Sequence, residues 1–172
     1  MQKTIKNLIL KSTQVNIINK TNLAVRPLKI DDIKVIHQII EYHLTNTYSK
    51  IYSNEIVNFY KSYHSADNII EDSNNGYVLI LLFSFEIVGT GTIRNNYINR
   101  MFVKKRFQNK GYGTVILSEL EKMSDNKKKS IRLDAIPGSE LFYLKNQYTI
   151  NCQAFDKIRN KYLEYFKMEK LL

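Results

Sequence analysis

Three short apolar runs in the middle of the chain constrain its fold more than any other feature. They extend from Tyr77 to Phe83, from Ile87 to Ile93 and from Tyr97 to Val103. Residues 84–86 separate the first two runs, and Asn95 and Asn96 separate the second from the third. Short apolar runs divided by turn residues are typical of β-hairpins. The sequence therefore predicts an antiparallel meander of three strands.

Two helices are predicted before the meander, after a short strand from Leu23 to Pro27. Asp31 is suited to cap the first helix. Both helices are indicated by apolar and aromatic residues that recur at intervals of three and four. These residues are Ile33, Ile36, His37 and Ile40 in the first helix, and Ile56, Phe59, Tyr60 and Tyr63 in the second. Both faces are expected to pack into the core, with His37 as a partly buried core histidine.

Another helix is predicted after Gly113, and its length allows the strands on either side of it to lie parallel. The elements after it are a strand from Ile131 to Ala135, a short helix with Ser139 as its N-cap residue, and two strands near residues 148–155 and 162–168. The expected fold class is therefore α/β, built on a mixed sheet of the α+β kind.

The composition fits a single domain in an aqueous compartment. The 172 residues suit one domain, and 44% hydrophobic residues with 24% charged residues exclude a disordered chain. No apolar stretch is long enough to span a bilayer or to form a signal peptide, so we expect a cytoplasmic protein that does not bind membranes. Residues 1–22 are predicted to be an N-terminal arm or edge strand, and residues 23–172 a single domain.

Cysteine and histidine usage argues against metal and disulfide chemistry. The only cysteine, Cys152, excludes an intramolecular disulfide and is expected to be a small buried residue. The three histidines, His37, His43 and His64, do not have the spacing of metal ligands. We therefore expect no metal site.

The formal net charge of +10 favours an anionic partner, which could be nucleic acid, a membrane surface or a phosphorylated cofactor. A lysine-rich composition by itself also scatters positive charge without a function. Twelve tyrosines and the lysine-rich segments 104–110 and 127–129 keep a nucleic-acid-binding protein as an alternative. Nucleic acid is not the expected partner, because no recognised RNA- or DNA-binding motif is present.

The segment from Gln108 to Thr114 joins the third meander strand to the following helix and contains Gly111 and Gly113. Glycines allow the backbone to approach a ligand closely, and the unpaired amides at a helix N-terminus favour an anion. Two common phosphate loops are excluded. Ile116 occupies the position of the third glycine of a dinucleotide fingerprint, and no Gly-Lys-Ser/Thr sequence of a P-loop is present.

The spacing Gln108-x-x-Gly111-x-Gly113 resembles the Gln/Arg-x-x-Gly-x-Gly/Ala acetyl-CoA loop of the GNAT N-acetyltransferase superfamily. Further segments are similar to motifs of that family and occur in its order between residues 23 and 170: Val25-Arg26-Pro27, Asp31-Asp32, Val88-Gly89-Thr90-Gly91, Met101-Phe102-Val103 and Phe142-Tyr143. The resemblance implies a GNAT-like fold, with a mostly antiparallel central sheet, a splayed parallel pair and flanking helices. It also implies acetyl-CoA as co-substrate.

The resemblance further implies how acetyl-CoA would be bound. Its pantetheine arm would pair with the exposed strand at Met101, Phe102 and Val103. Its pyrophosphate would lie against the loop residues Gln108, Asn109, Lys110, Gly111, Tyr112, Gly113 and Thr114. Positive charge could come from Lys104, Lys105, Arg106 and Lys110. An amine acceptor would enter beside the first two helices, in a region that includes Tyr42, His43, Tyr48, Tyr52 and Tyr60.

The reaction implied is direct attack of a primary amine, on a small molecule or peptide, on the acetyl thioester. Tyr143 matches the family position of the acid that protonates the leaving thiolate. The general base remains open: Glu86 and Glu41 are carboxylate candidates, and Asn99 could instead orient a water molecule. Asn146 stands where the family usually has glycine, and it can adopt the left-handed conformation. A catalytically silent acetyl-CoA-binding module is a further alternative, and a homodimer is left open.

Overall fold

The central sheet is mixed, and all but one of its neighbouring strand pairs are antiparallel. The computed structural model describes residues 16–18 and 22–172. Its strands are β1 (Asn16–Ile18), β2 (Leu23–Pro27), β3 (Tyr77–Phe83), β4 (Glu86–Arg94), β5 (Tyr97–Val103), β6 (Ser130–Ala135), β7 (Thr149–Ile158) and β8 (Lys161–Leu171). Their order in the sheet is β1-β2-β3-β4-β5-β6-β8-β7, and only β5 and β6 are parallel. The predicted fold class is confirmed.

In the described ranges of the chain, five α-helices flank the sheet. They are α1 (Ile33–Asn46), α2 (Asn54–Tyr63), α3 (Ala66–Asn75), α4 (Tyr112–Glu121) and α5 (Glu140–Lys145). Short 3₁₀ turns occur at Ile30–Asp32, Tyr48–Lys50 and Lys105–Phe107. No helix in the described part of the chain has the length and hydropathy needed to cross a membrane.

The predicted meander is formed by β3, β4 and β5. Each of its two turns places two consecutive residues at positive φ, Ser84 and Phe85 in the first and Asn95 and Asn96 in the second. Such turns match the twist of the strands that they join. Of residues 1–22, the structure describes strand β1 and Asn22, and β1 pairs with β2 at the edge of the sheet; the rest of the predicted arm lies outside the described residues.

Two apolar clusters cover the two faces of the sheet. One contains Ile116 and Leu120 of α4, and the other contains Ile36 and Ile40 of α1. Helix α4 packs directly on the backbone of β4, because a Cβ at Gly91 would lie only 2.6 Å from Ile116 Cγ2. Burial of each of these aliphatic side chains contributes about 1.5–3 kcal/mol before entropic costs. The sheet and helices thus form a rigid support for the loop between β5 and α4.

Helix α3 is absent from the sequence-based prediction. Its residues are mostly polar, and Ile69 is its only fully buried apolar side chain, so the apolar repeat is too sparse to recognise. Its N-terminus does carry a local signal, since Ser65 Oγ accepts a hydrogen bond from the amide of Asn68. Three helices therefore separate β2 from β3, where two were expected.

The expected cap at Asp31 is wrong, because Asp32 occupies the N-cap position of α1, and its side chain makes no capping hydrogen bond to that helix. Its carboxylate accepts the amide hydrogen of Lys29 at 2.7 Å and both terminal nitrogens of the Arg26 guanidinium, at 2.6 and 2.8 Å. Burial raises the pKa of Asp32, but the hydrogen bonds from Arg26 and Lys29 outweigh it and lower the pKa overall. Asp32 and Arg26 therefore join the end of β2 to the start of α1.

Two further expectations are corrected, and one is confirmed. Cys152 is exposed on β7 and not buried. Ser139 occupies the N-cap position of α5, as predicted, and its hydroxyl donates to the carbonyl of Ile136 at 2.8 Å. The left-handed residue after α5 is Gln147, with φ 71°, and not Asn146.

Candidate active site

The sheet opens between its two parallel strands. β5 and β6 pair at only two positions, Tyr97 with Arg132 and Ile98 with Leu133. Beyond them β6 continues beside β8 and β5 continues beside β4. Residues 99–103 of β5 therefore have no strand partner on the side that faces β6, and the expected splayed pair is confirmed. The opening leaves backbone donors and acceptors available to a ligand.

A β-bulge lies at the start of this opening. The register between β4 and β5 shifts between Thr90 and Thr92, and Arg100 has a φ of 50°. Such a conformation costs a residue with a side chain about 1–2 kcal/mol. The buried Arg100 guanidinium forms an ion pair with Asp72 of α3 and donates to the carbonyl of Tyr63 at 2.8 Å. Two helices thus hold the bulge in place.

Replacement of Asp72 tests whether this ion pair holds the bulge. In Asp72→Asn the buried Arg100 loses its counter-charge, so we expect the free energy of unfolding to fall by about 2 kcal/mol. The matched control is Glu71→Gln on the preceding residue, whose side chain is 60% exposed, compared with 11% for Asp72. We expect the control to change stability by less than about 0.5 kcal/mol. Equal stability of the two variants in urea titrations would contradict the anchoring role.

A cavity of about 370 Å³ occupies the opening. Several residues singled out from the sequence line it: Asn99, Met101, Phe102, Val103, Gln108 and Tyr143. The other loop residues from Asn109 to Thr114 lie outside its lining. The structure thus brings the predicted proton donor, the predicted water-orienting amide and the open edge of β5 to one cavity.

An aromatic cluster forms one wall of the cavity, and we define it as His43, Tyr48, Tyr60, His64 and Phe102. Phe102 is at its centre, with ring centroids 5.6 Å from His43, 6.4 Å from Tyr48 and 5.3 Å from His64. Tyr60 stacks on His64 at an interplanar angle of 10°. The predicted acceptor region between α1, α2 and the sheet is therefore a tightly packed aromatic wall.

Two side chains of this region hold the end of β5. His43 Nε2 donates to the carbonyl oxygen of Val103 at 2.8 Å, and Gln108 Nε2 donates to the same oxygen at 3.3 Å. Burial lowers the pKa of His43, so its imidazole is neutral at pH 7. His43 therefore fixes the strand from which the glycine loop departs.

The N-terminus of α4 presents unpaired amides next to the open strand. Gly111 is its N-cap residue, and its φ of 84° is a conformation that suits glycine. Among the residues that the structure describes, no side chain caps this end of the helix. The first amides of a helix lack intrahelical partners and attract anions. The loop from Gln108 to Gly113 therefore fits a phosphate group.

The four basic residues between β5 and α4 divide into two pairs. Lys104 and Arg106 both bind the carboxylate of Glu86, with 2.9 Å between Lys104 Nζ and Glu86 Oε1. Lys105 and Lys110 are exposed, and within residues 22–172 neither forms an ion pair. Of the four cations considered from the sequence, these two are the ones free to approach an anion.

Neither glutamate considered as a base lines the cavity. Hydrogen bonds from Lys104 and Arg106 lower the pKa of Glu86, which weakens it as a proton acceptor. Glu41 lies 3.4 Å from Lys61 in a partly exposed ion pair between α1 and α2. The structure therefore separates both carboxylates from Tyr143 and Asn99.

Tyr143 reaches the cavity from α5. Its side chain is 9% exposed, and its ring packs 5.0 Å from Phe142 and 5.9 Å from Tyr148. Burial raises the pKa of Tyr143 above its ordinary value of 10. Its phenol is therefore protonated at neutral pH and available to donate a hydrogen bond or a proton.

Sequence reasoning missed several polar residues of the cavity, among them His64, Asp134 and Asp156. The alternation of β6 gave a signal for Asp134, because Leu133 and Ala135 face the core on either side of it. No comparable signal marked Asp156, which lies in a largely exposed strand. His64 follows the last residue of α2, and its position in the cavity depends on tertiary packing.

Comparison with known proteins identifies the family. A family model described as acetyltransferase (GNAT) domain matches residues 47–172. The chain belongs to the GNAT acetyltransferase family. The family resemblance of the sequence is thereby confirmed, and acetyl-CoA is the co-substrate. No curated protein sequence matches this GNAT chain significantly.

Solved structures share the GNAT fold with this chain. A GCN5-related N-acetyltransferase from Rhodopseudomonas palustris has a TM-score of 0.78 at 19% identity, over 91% of this chain and 99% of its own. The PaiA N-acetyltransferase from Thermoplasma acidophilum, in complex with coenzyme A, has a TM-score of 0.70 at 22% identity, over 88% and 100%. The protein yncA from Salmonella typhimurium, with its cofactor acetyl-CoA, has a TM-score of 0.59 at 14% identity, over 88% and 95%.

Proposed function

We propose that this GNAT protein transfers the acetyl group of acetyl-CoA to a primary amine of a small molecule or peptide. The observation that carries the proposal is the continuity of β5 with the glycine loop. Residues 99–103 line the cavity without a partner on β6, and the loop with the unpaired amides of α4 follows directly. The loop after β5 would thus bind the phosphates, and the open part of β5 would place the thioester beside an acceptor in the cavity.

The residues present fit acetyl-CoA. The amides from Gln108 to Gly113 would bind the pyrophosphate, with Lys105 and Lys110 adding positive charge. The pantetheine arm would pair with the backbone of Met101, Phe102 and Val103. Asn109, Tyr112 and Thr114 would complete the loop.

The chemical step is a nucleophilic substitution at the thioester. The amine nitrogen attacks the carbonyl carbon, a C–N bond forms, and the carbonyl electron pair moves to oxygen. Backbone amides near the bulge would stabilise the oxyanion. The intermediate then expels the thiolate as the C–S bond breaks, and its nitrogen releases one proton to solvent to leave the amide. Tyr143 would protonate the thiolate, with solvent restoring the phenol. Binding both reactants in one cavity supplies much of the rate by proximity.

The acceptor must also lose a proton, because its amine is mostly protonated at neutral pH. Asn99 Oδ1 is buried without a hydrogen-bond partner and belongs to a residue that lines the cavity. It would accept a hydrogen bond from a water molecule that carries this proton away. Direct attack also accords with the cavity lining, which in the described chain contains no cysteine and one serine, Ser139, whose hydroxyl already donates to Ile136.

Product analysis tests this function. The purified protein is incubated with acetyl-CoA and a panel of amines, free CoA is followed with a thiol reagent, and products are identified by mass spectrometry. We expect an N-acetyl product that survives hydroxylamine treatment, because amides resist it and esters do not. A hydroxylamine-labile product would assign O-acetylation. Tight acetyl-CoA binding without any product would identify a silent binding module and contradict the proposed activity.

A further inference from the structure

Two carboxylates line the cavity of a strongly basic protein. Asp134 is the residue of β6 next to Leu133, the last one paired with β5, so it lies where the two strands begin to separate. Asp156 on β7 lines the same cavity. Arg100 is the one arginine or lysine in the described lining, and its charge is already neutralised by Asp72. The cavity is therefore negative although the chain carries a net charge of +10.

A tyrosine holds one of the two carboxylates in place. Tyr165 Oη donates to Asp156 Oδ2 at 3.2 Å, and Tyr97 lines the same cavity as Asp134. Partial desolvation and the neighbouring Asp156 raise the pKa of Asp134, whose side chain stays partly open to solvent, and Lys167 counteracts part of this effect. Lys167 stands opposite Asp134 in the sheet, with Nζ 5.9 Å from the centre of the Tyr165 ring. One neighbouring lysine thus faces two carboxylates, which leaves a net negative charge.

His64 gives a second, independent indication of a ligand in this cavity. Its side chain is 4% exposed, and neither ring nitrogen has a hydrogen-bond partner in the described structure. Burial and the nearby Arg100 lower the pKa of His64 to about 3, so the ring is neutral. A buried imidazole without partners is unfavourable unless a ligand supplies them. In the described structure Asn99 Oδ1 also lacks a hydrogen-bond partner in this cavity. Two side chains near the open strand, His64 and Asn99, therefore have unsatisfied hydrogen-bonding atoms.

We propose that the acceptor is a linear diamine, or a longer polyamine, with one amine at Asn99 and His64 and a second ammonium between Asp134 and Asp156. This inference rests on the proposed function and names the substrate class of the same site. The distal ammonium would exchange its contacts with bulk water for contacts with two carboxylates and with the ring faces of Tyr97 and Tyr165. Aromatic ring faces attract cations. An uncharged distal group would lose this attraction, and a distal carboxylate would be repelled.

A matched set of five-carbon amines tests the proposal. Cadaverine, aminopentanol and aminopentanoate share a primary amine and chain length and differ only in the charge of the distal group. With saturating acetyl-CoA, we expect kcat/KM for cadaverine to exceed that for aminopentanol by at least about tenfold, which corresponds to about 1.4 kcal/mol. Aminopentanoate should be the poorest acceptor of the three.

Three variants link this preference to the two carboxylates. In Asp134→Asn, kcat/KM for cadaverine should fall by about tenfold, with little change for aminopentanol. In Asp156→Lys the order of cadaverine and aminopentanoate should invert, which a merely structural defect would not produce. Glu164→Gln, on the opposite face of the β7–β8 hairpin, is the control and should retain the wild-type order. Thermal unfolding of each variant shows whether it is folded.

The outcomes separate this inference from the proposed function. Equal kcat/KM for cadaverine and aminopentanol, or an unchanged order in Asp156→Lys, would overturn the diamine proposal and leave N-acetylation intact. Acetylation of other amines without any acetylation of cadaverine would also overturn the diamine proposal and leave N-acetylation intact. Failure to bind acetyl-CoA would overturn both.

Discussion

Gly113→Asp is expected to abolish acetyl-CoA binding. The substitution puts a carboxylate in the first turn of α4, where it competes with the pyrophosphate for the helix amides and repels its charge. Two like charges about 4 Å apart repel by about 4 kcal/mol at the effective dielectric constant of a protein surface. We therefore expect affinity to fall by at least about a hundredfold in calorimetric titrations.

Gly113→Ala separates the charge of this variant from its bulk. A Cβ at position 113 would lie 3.2 Å from the ring of Phe142, so alanine reproduces the crowding without the negative charge. We expect Gly113→Ala to weaken acetyl-CoA binding by only about threefold, since the Phe142 ring has to shift by a few tenths of an ångström. Equal affinity of Gly113→Asp and wild type would show that the pyrophosphate binds elsewhere.

Tyr143→Phe is expected to leave acetyl-CoA affinity unchanged and to lower kcat by about a hundredfold, within the range typical of general acid catalysis. The substitution removes only the hydroxyl that would protonate the leaving thiolate. Because burial raises the pKa of Tyr143, we also expect no loss of wild-type kcat from its ionisation up to about pH 10, the ordinary pKa of the phenol. Stopped-time assays of free CoA over a pH series measure both effects.

Tyr148→Phe is the matched control for this experiment. Tyr148 lies beside Tyr143, with ring centroids 5.9 Å apart, and its buried hydroxyl has no partner in the described structure. It does not line the cavity. We expect the control to keep kcat within about twofold of wild type. Full turnover by Tyr143→Phe across the pH series would show that the proton comes from another group.

The fold was predictable where its signals are local. The apolar runs of the meander and the paired asparagines at 95 and 96 specify hairpins within a few residues of chain. The glycine loop after β5 is similarly contiguous, so its position at a helix N-terminus followed from the sequence. Helix α3 was not predicted because it has no apolar repeat. The tertiary contacts of Asp72 and Ile69 stabilise it instead.

The interior of the site was less predictable, because distant segments assemble it. Arg100 and Asp72 are 28 positions apart, and nothing local to either residue indicates their ion pair. Glu86, in the turn between the first two meander strands, was considered as a base, yet Lys104 and Arg106 bind it outside the cavity. The alternation of β6 marks Asp134 as a polar residue between core residues. The cavity that Asp134 shares with Asp156 forms only when distant strands come together, so the sequence did not indicate it.

Initial-rate kinetics test the central claim most directly, which is that acetyl-CoA and the amine react together in one cavity. Rates are measured while acetyl-CoA and cadaverine, or the best amine of the panel, are varied against each other. Direct attack requires a ternary complex, so the double-reciprocal lines should intersect, and no acetylated protein should accumulate when the amine is omitted. Parallel lines, together with an acetyl group on the protein in mass spectra, would contradict the account.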